Sequence, residues 1–273
     1  MKVALLQMTS GIDPAVNAAT LVAAVADASA AGAAMLFTPE MSGLIDRDRE
    51  RAAASITDEA SDRVLAEVRE AAAVHGLWVQ LGSLAVRRHD GRLANRSFVI
   101  DAAGVIRARY DKIHLFDVDL PSGESWRESA AYAPGEGTAS VDTPAGRVGL
   151  SICYDLRFPG LYAALSGAGA DLLSIPAAFT RPTGLAHWHV LLRARAIENA
   201  AYVVAAAQNG LHEDGRTTFG HSLVVDPWGE VVLDMGDDAG LGFAELDPVR
   251  ISEARARIPV LAHRRVIPAP PTS

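Results

Sequence analysis

The chain has 273 residues, 49% of them apolar and 21% charged, with a net charge of -8 at pH 7 and one cysteine. That length can bury a sizeable core. The acidic balance argues against nucleic acid or an anionic membrane surface as partner, and no apolar run approaches the roughly 18 residues of a membrane span. A lone cysteine cannot form an internal disulfide, and with no export signal it points to a reducing, cytoplasmic setting.

The chain opens on a short apolar strand, Val3 to Met8, closed by Thr9-Ser10-Gly11. Asp13-Pro14 then reads as an N-cap followed by proline at the first helical position. Leu21, Val25 and Ala28 recur at helical spacing, so "TLVAAVADASAAGAAMLF" is a helix and a strand rather than a signal peptide. A second helix is predicted from about Ser61 to His75, with Gly76 as its stop. Three strand signals, "LWVQLGSLAV", "RSFVID" and "VIRARY", are separated by turns and suit antiparallel hairpins.

Phe116 to Gly137 reads as one long loop, a length that is usually functional or disordered. A strand near Thr138 to Val141 and a second through "RVGLSI" lead to Cys153. Beyond it the pattern gives a helix from about Pro159, a strand "DLLSIP" and a long helix from about His187 to Asn199. The strands "YVVAAA", "HSLVVD", "EVVLDM" and "GFAEL" and a helix from Pro248 complete it. No linker splits residues 1–265, which read as a single domain; residues 266–273 are a proline-rich tail. The mixture fits an α/β domain with two sheets and outer helices.

Three polar side chains stand where apolar strands stop: Glu40, Lys112 and Cys153. Strand ends in α/β folds are where ligand-binding groups collect. Taken singly, Glu40 reads as an exposed charge at a helix start, Lys112 as a solvated turn residue and Cys153 as a packed thiol. Jointly they supply what amide hydrolysis needs. A thiol requires a base, and the tetrahedral oxyanion requires donors such as an ammonium beside a backbone N–H. Sequence spacing alone does not bring the three together.

The segments "YDKIHLFDVD", "RVGLSICYDLRFP", "TGLAHWHVLLRARAIENAAYVVAAAQNG" and "GHSLVVDPWGE" resemble the nitrilase superfamily of carbon–nitrogen hydrolases, from Val3 to about Arg265. The resemblance implies a four-layer αββα sandwich, a Glu–Lys–Cys triad and a homodimer or higher homo-oligomer. Carried over, Cys153 is the nucleophile, Glu40 the base and later the acid, and Lys112 with the Tyr154 N–H holds the oxyanion. Glu128 matches a second glutamate beside the triad. Thr38 stands where an apolar residue is more usual before Pro-Glu. The resemblance implies no metal and no organic cofactor.

Within the superfamily the chain is most similar to the amidases of deaminated glutathione and to omega-amidase, which act on an α-ketoglutaramyl-type amide. A keto-acid carboxylate suits a bidentate guanidinium, which makes Arg157 the candidate clamp and Thr183 its helper. Their ordinary alternatives are an ion pair with Asp155 and a simple turn. The segment after "AAAQNG" resembles the deaminated glutathione branch, although Asn209 stands where that branch more often has cysteine. An N-carbamoyl amino acid amidohydrolase, a nitrilase and a non-catalytic scaffold with the same fold are the alternatives.

Two other arrangements compete. His114, His187, His189 or His221 could serve as the base for Cys153. "HWH" could suggest a metal, but His187 and His189 are two apart on a predicted helix and point to different sides.

Overall fold

Period-2 alternation on a few short apolar strands decides the layering. In the computed structural model, which describes residues 1–119, 123 and 125–268, the first half contains β1 (Lys2–Gln7), α1 (Pro14–Ala30), β2 (Met35–Phe37), α2 (Arg49–Ser55), α3 (Arg63–His75), β3 (Trp78–Arg87), β4 (Leu93–Ile100) and β5 (Ile106–Asp111). A small hairpin, β6 (Asp117–Asp119) and β7 (Ser125–Arg127), and a 3₁₀ turn at Glu128–Ala130 follow. The second half contains β8 (Ser140–Thr143), β9 (Gly146–Leu150), a 3₁₀ turn at Cys153–Arg157, α4 (Pro159–Gly167), β10 (Leu172–Ser174) and α5 (Arg181–Asn199). It ends with β11 (Tyr202–Ala205), a hairpin of β12 (Asn209–Leu211) and β13 (Thr217–Phe219), β14 (Leu223–Val225), β15 (Val231–Asp234), β16 (Gly240–Glu245), α6 (Pro248–Arg257) and α7 (Val260–His263).

Two six-stranded sheets result, in the orders β16-β1-β2-β3-β4-β5 and β15-β14-β11-β10-β9-β8. Each has a parallel centre (β1, β2 and β3 in one; β9, β10 and β11 in the other) and antiparallel edges. Successive side chains on a strand face opposite ways. Val3, Leu5, Met35, Phe37 and Val99 therefore turn toward the second sheet and pack with Val148, Leu150, Leu172 and Val204. Ala4, Leu6, Leu36, Phe98 and Ile100 turn outward, onto Leu21 and Val25 of α1 and Leu65 and Val68 of α3. On the far side α4 and α5 cover the second sheet through Tyr162, Leu165, Trp188 and Leu192. The layers are helix, sheet, sheet, helix, the αββα sandwich.

Local punctuation behaves as the sequence indicates. Asp13 caps α1, its carboxylate accepting from Ala15 N at 2.8 Å, and Gly76 ends α3 at φ 62°, a conformation glycine adopts freely.

Two expectations change. α5 begins at Arg181, not near His187. "RPTG" reads as a turn, yet proline is compatible with a first helical turn. Gly184 is needed there because a Cβ would lie 2.2 Å from the ring of Phe219. Phe116 to Gly137 is not one irregular loop, since it contains the β6–β7 hairpin and a 3₁₀ turn; residues 120–122 and 124 lie outside the described residues. Short α2, α7 and the β12–β13 pair give too few residues for a periodic signal. Of the predicted 266–273 tail, residues 269–273 lie outside the described residues, and Val266 and Ile267 are exposed.

Leu5 is fully buried between the sheets. Leu5→Ala should destabilise the fold by about 2–5 kcal/mol, read as a lower urea midpoint with unchanged slope.

Candidate active site

Glu40 sits three residues beyond β2. Thr38 holds this approach: its hydroxyl oxygen accepts from Gly82 N at 2.9 Å and from Ser42 Oγ at 3.1 Å. The departure from an apolar residue at Thr38 thus serves a buried polar tie between β2 and β3. Gly82 has to be glycine, because a Cβ there would come within 2.1 Å of Thr38 O and 2.2 Å of Pro39 O. Met41, next in line, is held at φ 54°.

Glu40 is 5% exposed, and its carboxylate is bonded on both oxygens. Oε1 accepts from Lys112 Nζ at 2.8 Å and Asn95 Nδ2 at 2.9 Å, and Oε2 from the backbone N–H of Ala178 at 3.0 Å. Lys112, just after β5, also donates to both oxygens of Glu128, at 2.9 and 3.1 Å. Glu128 in turn accepts from Asn95 Nδ2 at 3.1 Å and Phe116 N at 2.7 Å. Burial alone would pull the ammonium of Lys112 down. The carboxylates of Glu128 and Glu40 outweigh it and hold Lys112 charged, well above its ordinary range.

Cys153 follows β9 as the first residue of a 3₁₀ turn, at φ 49°. A non-glycine residue is rare in that conformation and persists only where its surroundings impose it. Here Cys153 N donates to Pro176 O at 2.9 Å, and fully buried Asp155 braces the turn. Asp155 accepts from Ile152 N at 2.9 Å, Tyr110 Oη at 2.7 Å, and His114 N and Nδ1 at 3.0 and 2.7 Å. Tyr154, the second residue of the turn, has no intrahelical acceptor for its N–H. Burial pushes the Cys153 thiol well above its ordinary range, and the negative charge of Glu40 adds to this against the opposing pull of Lys112.

All seven residues singled out in the sequence line one cavity of about 600 Å³. Arg157 lies over the rings of Phe179 and Tyr154 at 5.5 and 6.0 Å. Its Nη1 is 3.3 Å from His187 Nδ1, and among the described residues it has no carboxylate partner. Asp155 is fully engaged elsewhere, so the alternative Arg157–Asp155 pair does not form. Thr183 lies in the first turn of α5 with its hydroxyl 2.8 Å from that of Thr180. Arg47, Arg49, Arg87, Arg127 and Arg216 also line the cavity, giving a cationic basin in an acidic chain.

Residues 2–256 match the family described as carbon-nitrogen hydrolase. The chain belongs to that family. It is 40% identical over 272 residues to the deaminated glutathione amidase of Yersinia enterocolitica, covering 97% of this chain and 93% of the relative. Identity to the human deaminated glutathione amidase is 41% over 268 residues, covering 96% and 82%. Among solved structures, C. elegans NitFhit superposes with a TM-score of 0.89 at 42% identity over 97% of this chain, which spans 65% of that longer chain. A glutamine-for-glutamate variant of the amidase from Nesterenkonia sp. AN1 superposes at 0.79 with 28% identity, covering 94% of this chain and 98% of that one. It shows Michael addition of acrylamide at its active-site cysteine.

The four histidines weighed as alternative bases lie elsewhere in the hydrolase. His114 is bound to Asp155 and His187 faces Arg157, while His189 and His221 both contact Asp234. None lines the cavity. Sequence reasoning missed Asn95, which bridges Glu40 and Glu128, and Asp155, which braces the cysteine turn. The available signal for Asn95 was a buried-strand pattern, "LANRSFVI", interrupted by an amide; Asp155 was read only as a possible partner of Arg157.

A raised thiol pKa leaves the neutral form dominant at neutral pH. The ultraviolet thiolate absorbance, taken as wild type minus Cys153→Ala, should stay at baseline until the pH exceeds the ordinary thiol value of 9.0. Glu40→Gln removes a negative neighbour and should move that rise to lower pH; a thiolate signal at pH 7 in the unaltered hydrolase would contradict this account.

Proposed function

We propose that the chain hydrolyses the linear amide of an α-ketoglutaramyl-type substrate, deaminated glutathione above all, through a thioester on Cys153. The observation that carries the reading is the buried Glu40–Lys112–Glu128 cluster opening onto the same cavity as Cys153. Glu40 takes the thiol proton as Sγ attacks the amide carbon. The C=O π electrons move onto oxygen, and Lys112 and the Tyr154 N–H stabilise the resulting oxyanion. Protonated Glu40 then passes its proton to the departing amine, leaving the thioester. Water, deprotonated by the same carboxylate, attacks the thioester and releases the acid and the thiol. Glu128 and Asn95 hold Lys112 and Glu40 in place.

Substrate choice rests on two supports. Relatives from bacteria to mammals carry the name deaminated glutathione amidase, and Arg157 offers a guanidinium free for a bidentate carboxylate contact. A cavity of about 600 Å³ accommodates more than α-ketoglutaramate, which favours an amine leaving group over ammonia and ranks omega-amidase activity second.

We also propose that residues 1–265 act as one domain, in the cytoplasm, and as a homo-oligomer. No helix among the described residues is long and apolar enough to cross a membrane. Val190 and Ile197, seven apart and so on one face of α5, are both exposed.

Amine and ammonia release should be measured on deaminated glutathione, α-ketoglutaramate, a nitrile and an N-carbamoyl amino acid. Activity is expected to be highest on the first; activity confined to the last two would overturn the substrate assignment. Glu40→Gln should lower amide turnover by about 10²–10⁴-fold while acrylamide still alkylates Cys153. Arg157→Ala should raise KM for keto-acid amides by about 10- to 100-fold, with a much smaller effect on an amide lacking the carboxylate. Sedimentation should show an oligomer that Val190→Glu with Ile197→Glu dissociates.

A further inference from the structure

Away from the cavity, three metal-ligand side chains from separate elements converge. His189 projects from α5, His221 precedes β14 and Asp234 ends β15. His189 Nε2 is 3.0 Å from Asp234 Oδ2, and His221 Nδ1 is 2.9 Å from Asp234 Oδ1. The two imidazole centroids are 5.2 Å apart, and one donor atom from each of the three side chains lies within 4.8 Å of the others.

The arrangement is held from behind. His221 is fixed in the left-handed region at φ 54°. Its N–H donates to Gly236 O at 2.8 Å and its carbonyl accepts from Trp188 Nε1 at 2.8 Å. The Phe219 ring stacks on the His221 imidazole at 4.5 Å and 20°. Asp234 Oδ1 also accepts from Gly236 N at 2.9 Å. His189 directly follows the buried anchor Trp188. Side-chain exposures of 36%, 25% and 33% for His189, His221 and Asp234 leave an open side for entry and for water.

We propose that His189, His221 and Asp234 form a binding site for a divalent transition ion of the zinc class. Two imidazoles and one carboxylate are a borderline donor set that suits zinc, cobalt or nickel better than magnesium or calcium. Bonds of about 2.0–2.2 Å require the three donors, now within 4.8 Å of one another, to draw closer around the ion. Each imidazole binds through the nitrogen now facing the carboxylate, its proton residing on the opposite ring nitrogen, and water completes the coordination. The ion sits outside the reaction and pins α5 to β14 and β15. The first turn of α5 carries Thr183 at the cavity, so the pin steadies one wall.

The test uses tag-free full-length Cys153→Ala protein, so that the thiol does not compete for metal. Zinc and cobalt are added, with bound metal measured after gel filtration and melting temperature measured with and without metal. One equivalent should bind and raise the melting temperature, and cobalt should give visible bands of nitrogen and oxygen coordination. In that background His189→Gln and Asp234→Asn should each abolish binding, while His187→Gln retains it. Metal-free melting curves report whether each variant folds; if one does not, the other decides. Absence of bound metal, or binding unchanged in a folded His189→Gln or Asp234→Asn, would overturn the site.

Discussion

The buried ammonium of Lys112, gripped by Glu40 and Glu128, is the interaction on which the rest of the site depends. Taking an isolated charge out of water costs several kcal/mol, and a buried group of charges is tolerated only when each is paired and hydrogen-bonded. Here both carboxylates and the ammonium are satisfied, with Asn95 and the N–H groups of Ala178 and Phe116 completing the set. Loss of one member would leave its partners buried without compensation. The cluster therefore constrains five chain segments together, and constrains the catalytic geometry with them.

The sandwich supplies these segments from opposite sides. The first sheet brings Glu40, Asn95 and Lys112 through the ends of β2, β4 and β5, while the second brings Cys153 and Ala178. Apolar packing between sheets is non-directional, so it does not by itself fix their relative position to a fraction of an ångström. Directional buried bonds across the interface do. Tyr110 of the first sheet donates to Asp155 in the cysteine turn, and Gln208 donates to Ser10 Oγ and Glu40 O. The same bracing imposes the left-handed backbone of Cys153, which brings the thiol to the cavity and leaves the Tyr154 N–H without an acceptor among the described residues.

How much was legible depends on whether the signal was local. The short apolar run from Val3 to Met8, the cap at Asp13 and the stop at Gly76 are properties of a few adjacent residues, and the structure follows them. Glu40, Lys112 and Cys153 stood out because each ends an apolar strand, and the motifs around the last two are specific. The start of α5 was misplaced because Pro182 and Gly184 look like a turn until Phe219, distant in sequence, is seen packed against the glycine. Asn95 and Asp155 gave weak signals because their partners lie on other strands and turns.

The sequence by itself determined the α/β alternation, the strand ends that carry chemistry and the family to which those motifs point. Each follows from backbone preference and burial period over a handful of neighbouring residues. Only the tertiary structure decided that Glu40 meets Ala178, 138 residues away, that His114 is spent on Asp155, and that His189 finds His221 and Asp234 rather than His187. Those pairings depend on how two sheets and their helices pack, and the partners share no local pattern that spacing could reveal.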